Sequence, residues 1–234
     1  MSALLIIPAF NEEARIGQVL DSVAHSGYSG EVLVVDDGSH DATSRMARSR
    51  NATVLRHPFN LGYGAALQTG YKYALRSGAS PVIQMDADGQ HDPKQIERLI
   101  QPILSGELDL VVGSRFLDSS NYRMNPIHRL GRNVFRIIAR VAGLHVSDPT
   151  SGFQALNRAV LDLYATDFFP SDYPDVDVLL TSYRNGLRVG EVAVTMNQSP
   201  RASTIHGGLR SVFYIYKIFL SSFSAATRQR TKRN

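Results

Sequence analysis

The chain opens on an apolar run, Leu4-Leu5-Ile6-Ile7, and then changes period, with Ile16, Val19, Leu20 and Val23 falling on one face of a helix. A second apolar run, Val32-Leu33-Val34-Val35, completes a β-α-β start. The alternation continues with a helix from about Asp41 to Arg50, a short strand at Thr53-Val54-Leu55, and a helix carrying Leu67, Tyr71, Ala74 and Leu75. Next come the strand Val82-Ile83-Gln84-Met85 and a helix with Ile96, Leu99, Ile100 and Ile103 behind Pro93, a residue suited to a first helical turn. The strand Leu110-Val111-Val112 follows. Strands alternating with amphipathic helices predict an α/β fold, a mainly parallel sheet with helices on both faces. Ligands of such sheets sit beyond the carboxyl ends of the strands.

The second half is less regular. It predicts a helix around Leu130 to Val141, a loop through Asp148-Pro149-Thr150-Ser151-Gly152, helices near 158–165 and 176–184, and a strand alternating from Leu187 to Met196. No internal repeat or low-complexity linker divides the chain. With 234 residues, 43% of them hydrophobic, it can bury one sizeable core and a small C-terminal appendage. It has no cysteine, which removes disulfides and thiolate metal sites and suits a reducing cytoplasm. The first residues lack a basic n-region, and their apolar run is too short for a signal peptide or a membrane span.

The net charge of +4 is unevenly placed, with a basic stretch Arg228-Gln229-Arg230-Thr231-Lys232-Arg233 and acidic clusters in the N-terminal half. Ahead of that basic stretch, Ser211 to Leu220 is apolar and aromatic with only Lys217 charged. Such a segment is too short to span a bilayer, which takes ~20 apolar residues, but it suits an interfacial helix or a docking surface for a small membrane protein. A C-terminal helix packed on the core is an equal alternative. No nucleic-acid motif is present, so nucleic acid is not an expected partner.

Acidic residues concentrate where a parallel sheet would hold a ligand: Asp36-Asp37 after the second strand and Asp86-Ala87-Asp88 after the fourth. Carboxylates at i and i+2 leaving a strand into a glycine-containing loop can hold a hard divalent cation, with a diphosphate completing the shell. Gln90 and His91 are nearby ligands of second rank, and Asp92 before Pro93 reads as a helix cap. Taken alone, an Asp-x-Asp triplet is as readily a solvated turn. Its company raises it: Pro8-Ala9-Phe10-Asn11-Glu12-Glu13, Asp36-Asp37-Gly38-Ser39 and Asn60-Leu61-Gly62-Tyr63-Gly64-Ala65-Ala66 each end a strand or open a helix on the same rim.

Together with Gly113-Ser114-Arg115-Phe116, Asp148-Pro149-Thr150-Ser151-Gly152-Phe153 and Ser171-Asp172-Tyr173-Pro174, these motifs resemble the family-two inverting glycosyltransferases of the GT-A fold. The resemblance is closer to the branch that includes dolichyl-phosphate mannose synthase and bacterial polyprenyl-phosphate sugar transferases. It implies a GT-A catalytic domain over residues 1–206, followed by an amphipathic helix and basic tail over 207–234. It implies a donor site of Pro8, Ala9, Phe10 and Glu12 on the nucleotide, Val34 and Asp36 at the base, and Asp37, Gly64 and Ala87 beside them. Asp86, Asp88 and Gln90 match the metal and diphosphate site, for Mg2+ or Mn2+. Arg115 matches a residue facing phosphates, and Arg129 and Asn133 match an acceptor-phosphate site. Where the family usually has an arginine, this chain has Ser199, and Arg201 is the candidate substitute.

The reaction so implied is one in-line displacement at the anomeric carbon of a nucleotide-sugar donor, with Asp88, Arg115, Asp148 and Asp172 as catalytic candidates. A polyprenyl-phosphate acceptor is already anionic and calls for arginines rather than a strong base. A saccharide hydroxyl would need a base, Asp148 or Asp172, although bracing a turn and capping a helix rank ahead for these two. A peripheral position at the cytoplasmic face of the membrane fits the lipid acceptor. A sugar-nucleotide-binding scaffold without turnover is the non-enzymatic alternative, with Ser199 its main support. A receiver-type domain is disfavoured by chain length, and a dinucleotide oxidoreductase by Gly62-x-Gly64-x-x-Leu67, which lacks a third glycine.

Overall fold

The computed structural model describes residues 3–117, 126–172 and 174–197. Its centre is a seven-stranded sheet of β1 (Leu4–Ala9), β2 (Glu31–Asp36), β3 (Thr53–Arg56), β4 (Val82–Gln84), β5 (Leu110–Ser114), β6 (Gln154–Leu156) and β7 (Val189–Ala193), in the order β3-β2-β1-β4-β6-β5-β7. All neighbours pair in parallel except β6, which is antiparallel to both β4 and β5. The carboxyl ends of the six parallel strands therefore share one rim with the entrance to β6.

Helices α1 (Ile16–Ala24), α2 (Thr43–Arg48), α3 (Tyr63–Ser77), α4 (Ile96–Leu104), α5 (Pro126–Val141), α6 (Arg158–Tyr164) and α7 (Val176–Arg184) cover the sheet. The strand period of two divides the core. Leu4 and Ile6 of β1 join α3, α5, α6 and α7 on one face, while Leu5 and Ile7 join α1, α2 and α4 on the other. This is the doubly covered sheet that the apolar runs predict. Pro93 opens a single 3-10 turn that runs into α4, and the Asp92 carboxylate accepts from the Lys94 amide at 3.0 Å, as a cap should.

The structure differs from the periodicity reading in one place that matters. Residues 154–156 form β6, a strand the sequence does not announce, because three residues carry too little alternation to register. Their pairing comes from outside: β4 and β5 offer hydrogen bonds on both sides. Residues 198–206, the predicted helix and tail of 207–234 and the candidate Arg201 lie outside the described residues. Among the described residues, no helix is long and apolar enough to cross a membrane.

Candidate functional site

Asp86 and Asp88 leave β4 on the shared rim. Gly152, just before β6, lies against Asp86: a Cβ at 152 would stand 2.6 Å from Asp86 Oδ2, so only a glycine lets the carboxylate pack this close to the backbone. Asp86 Oδ1 accepts from the Tyr63 hydroxyl at 2.7 Å. Burial raises the Asp86 pKa, opposed by the Tyr63 hydrogen bond and by the charge of Arg115. Tyr63 itself is raised well above the usual phenol range by burial and then by Asp86, which keeps its hydroxyl a donor. Asp88 is raised by burial and by the Asp86 charge, while Gln90 holds it through its backbone amide at 2.9 Å and its side-chain amide on the other oxygen.

His91 is not free to reach outward. Its Nδ1 accepts from the Asp86 backbone N–H at 3.1 Å, and its ring stacks on Phe153 with centroids 4.9 Å apart. Burial takes its pKa down to about 4, so at neutral pH the ring is uncharged with its proton on Nε2, 3.7 Å from Asp86 Oδ2. Two carboxylates, with the Asp86 side chain 29% exposed on the rim, are the donor set of a hard cation that takes further oxygens from its ligand. Among the described residues, no group of three or more His, Cys, Asp or Glu could hold a metal without that help.

The opposite side of the rim is basic. Arg115, at the end of β5, forms a bidentate pair with Asp148, Nε to Oδ2 at 2.6 Å and Nη2 to Oδ1 at 2.7 Å, and its backbone N–H adds a third bond. Asp148 is fully buried, and its backbone N–H and that of Ser147 donate to the Glu191 carboxylate of β7 at 2.8 and 2.6 Å. Beside them, Arg132 of α5 lies over the Phe116 ring with its Cζ 3.9 Å from the centroid, and its Nη2 donates to Asn133. Its Nε is buried with no hydrogen-bond partner. Burial lowers the Arg132 pKa, reinforced by the charges of Arg136, Arg115 and Arg129 and opposed by Asp148.

The other predicted residues divide into those on the rim surface and those turned inward. Phe10 is 41% exposed, edge-on to His40, and Arg129 is exposed on α5. Glu12 pairs with Arg15 at 2.8 Å. Pro8, Ala9, Val34 and Ala87 are buried, Val34 deep in the core with Ile7. Asp36 accepts from Ser39 N at 2.8 Å and from the Ser44 hydroxyl. Asp37 accepts from the amides of Leu61 and Gly62 at 2.8 and 2.9 Å and pairs with His57 at 2.7 Å, which shapes the loop into α3. Gly64 is a packing position, since a Cβ there would stand 2.0 Å from the Pro170 carbonyl oxygen. The carbonyls of Asp172 and Ser171 accept from the amides of Gly64 and Ala65, so the backbone of this segment caps α3.

Sequence reading missed Tyr63 and Arg132. Both lay in plain view: Tyr63 inside the glycine motif that opens α3, and Arg132 one helical turn after Arg129.

Comparison with known proteins agrees with this geometry. The family description "Glycosyl transferase family 2" matches residues 4–164. The chain is 30% identical over 212 residues to a UDP-N-acetylglucosamine–dolichyl-phosphate N-acetylglucosaminyltransferase of Methanococcus voltae, covering 81% of this chain and 83% of that protein. It is 32% identical over 206 residues to the polyprenol monophosphomannose synthase of Mycolicibacterium smegmatis, covering 83% and 77%. In three dimensions it resembles the crystal structure of glucosyl-3-phosphoglycerate synthase from Mycobacterium tuberculosis, with a TM-score of 0.75 at 23% identity, covering 98% of this chain and 81% of that one. A rim that sets paired carboxylates against clamped arginines, on this sheet and with these relatives, is that of an enzyme: the chain belongs to glycosyl transferase family 2.

Proposed function

We propose that the chain transfers a sugar from a nucleoside-diphosphate sugar to a polyprenyl phosphate, with Mg2+ or Mn2+ at Asp86 and Asp88. The observation that carries the acceptor class is the state of Asp148. Both of its oxygens are bound by the Arg115 guanidinium and the residue is fully buried, which suits an ion-pair clamp rather than a base that meets a hydroxyl. What the rim offers instead is a crowd of arginines, Arg115, Arg129, Arg132 and Arg136, whose mutual repulsion an anionic acceptor would relieve.

On this reading, Asp86 and Asp88 would hold the cation, which would supply charge neutralisation for the departing diphosphate. Gln90 holds Asp88 in place, and Asp148 presents Arg115 in a fixed orientation toward the phosphates. The acceptor phosphate oxygen is ionised at neutral pH and attacks the anomeric carbon without a protein base. One displacement inverts the configuration there. Phe10 on the rim packs on the nucleotide, and Arg129 and Asn133 of α5 complete the acceptor side. A lipid acceptor brings this rim to the inner face of a membrane, with residues 207–234 meeting the bilayer surface or a small membrane protein.

The test is transfer by the purified chain from UDP-, GDP- and dTDP-sugars to a short polyprenyl phosphate in Mn2+, read as radiolabel extracted into organic solvent. Product with one donor, absent in EDTA, is the expected result. Transfer to free saccharides but not to the lipid phosphate would overturn the acceptor assignment.

A further inference from the structure

Behind the carboxylate pair runs a hydrogen-bond chain with a fixed direction. The Tyr71 hydroxyl lies 2.5 Å from Gln84 Oε1, Gln84 Nε2 lies 3.1 Å from the Tyr63 oxygen, and the Tyr63 hydroxyl lies 2.7 Å from Asp86 Oδ1. A carboxylate only accepts, and an amide nitrogen only donates. The Tyr63 oxygen, receiving from Gln84, must therefore point its own proton at Asp86.

The backbone of Tyr63 is held as firmly. It is the first residue of α3, preceded by Gly62 at φ +105°, and the amides of the two residues after it are fixed by the carbonyls of Ser171 and Asp172. Gln84 sits in β4, and Tyr71, fully buried, packs against Tyr164 and Phe169. Every member of the chain is thus anchored in the sheet or in α3.

We infer that Tyr63 is a positioning residue for the cation site, holding Asp86 by Oδ1 and so fixing the orientation of its carboxylate. The inference rests on the reading of Asp86 as a cation ligand. An outer partner that hydrogen-bonds a ligating group fixes its orientation, and its loss weakens metal affinity roughly 10- to 100-fold. Tyr63 is poised to do this because it engages Oδ1 of an Asp86 side chain that stays 29% exposed, with Oδ2 lying against Gly152 and His91.

The experiment measures Mn2+ affinity by the electron-spin signal of free Mn2+, in the presence of UDP or GDP, for the wild-type chain, Tyr63→Phe and Tyr71→Phe. The binding of the same nucleotide in EDTA is measured alongside. Tyr63→Phe is expected to weaken Mn2+ about 10-fold and to leave metal-free nucleotide binding unchanged. Tyr71→Phe removes a buried hydroxyl from the far end of the same chain and controls for lost stability. It is expected to lower the melting temperature while weakening Mn2+ less than about threefold. Equal Mn2+ affinity in the wild type and Tyr63→Phe overturns the inference and leaves the cation site standing. Equal weakening by both variants overturns it too, because Tyr63 would then act through stability alone. A wild-type chain that binds no Mn2+ with either nucleotide overturns the cation reading, and this inference with it.

Discussion

The acidic corner at the end of β4 and the basic corner between β5 and α5 are mirror cases of one electrostatic condition. At the first, burial and the neighbouring carboxylate push Asp88 toward its neutral form. At the second, burial and neighbouring guanidinium groups pull Arg132 the same way, toward neutrality. Each corner crowds like charges partly out of water, and each is relieved by a ligand of opposite sign. The acidic corner calls for a cation and the basic corner for an anion. Asp86 joins them, because burial raises it while Arg115 lowers it.

The corners differ in how they are held. The carboxylates hang on loops tied by neutral donors, Tyr63 on Asp86 and Gln90 on Asp88, whereas Arg115 is clamped by a buried ion pair that is itself gripped by Glu191. The most severe way to break the comparison is to remove charge from the acidic corner. Asp88→Asn should lower transfer by about 1,000-fold or more and abolish any Mn2+-dependent stabilisation by nucleotide, with the fold intact by circular dichroism. Full transfer in EDTA by this variant would remove the cation from the scheme.

Asp148→Asn tests the clamp. The Arg115 side chain is 12% exposed and Asp148 is fully buried, so breaking the pair leaves a guanidinium uncompensated and should cost about 3 kcal/mol or more in urea unfolding. Transfer should fall with it, through acceptor KM as well as kcat. A variant as stable as the wild type but inactive would instead show Asp148 acting as a base.

His91 gives the next effect by size, and its sign can be worked out. Unfolded, the ring titrates near pH 6.5; folded, burial takes it down to about 4. Below the unfolded value, the unfolded chain takes up a proton that the folded chain refuses. Stability contributed by the neutral ring is therefore lost as pH falls from ~6.5 to about 4, by about 3 kcal/mol in all. Asp86, Asp88 and Glu191, all raised by burial, act in the opposite sense, so the readout is a difference. Metal-free wild type and His91→Gln, unfolded in urea between pH 7 and 4.5, should converge in stability as pH falls; parallel profiles would contradict a buried neutral ring.

The acidic corner was the more legible of the two in the sequence, for physical reasons. Its carboxylates directly follow an apolar strand, and strand ends in a parallel sheet share one rim, so Asp86 and Asp88 are placed by periodicity alone. Which way a rim side chain turns is not so encoded. Asp36 and Asp37 hold Ser39, Ser44 and the amides of Leu61 and Gly62, contacts that no strand period announces. Tyr63 reaches Asp86 across 23 positions, a contact that exists only once α3 has packed on the sheet. The basic corner depends on β6, whose three residues carry no period of their own, and on Asp148 arriving beside Arg115 from 33 positions away.

Arg132 offers the finest test of the difference between the corners, because it belongs to one and touches nothing in the other. Its guanidinium lies over the Phe116 ring, Cζ 3.9 Å from the centroid, with Arg115 at 5.6 Å from the same ring, and its Nε is buried with no hydrogen-bond partner. A phosphate approaching Arg115 would meet a second cation already oriented by stacking, which a planar guanidinium allows and an ammonium does not. Arg132→Met should therefore raise the acceptor KM about 10-fold, weaken its dependence on salt, and leave Mn2+-nucleotide stabilisation at the wild-type value. Arg132→Lys restores the charge without the plane and should recover only part of the loss. If both variants bind donor and acceptor like the wild type, the crowding at α5 is an incidental feature of the helix, and Arg115 with Arg129 suffices for the anion.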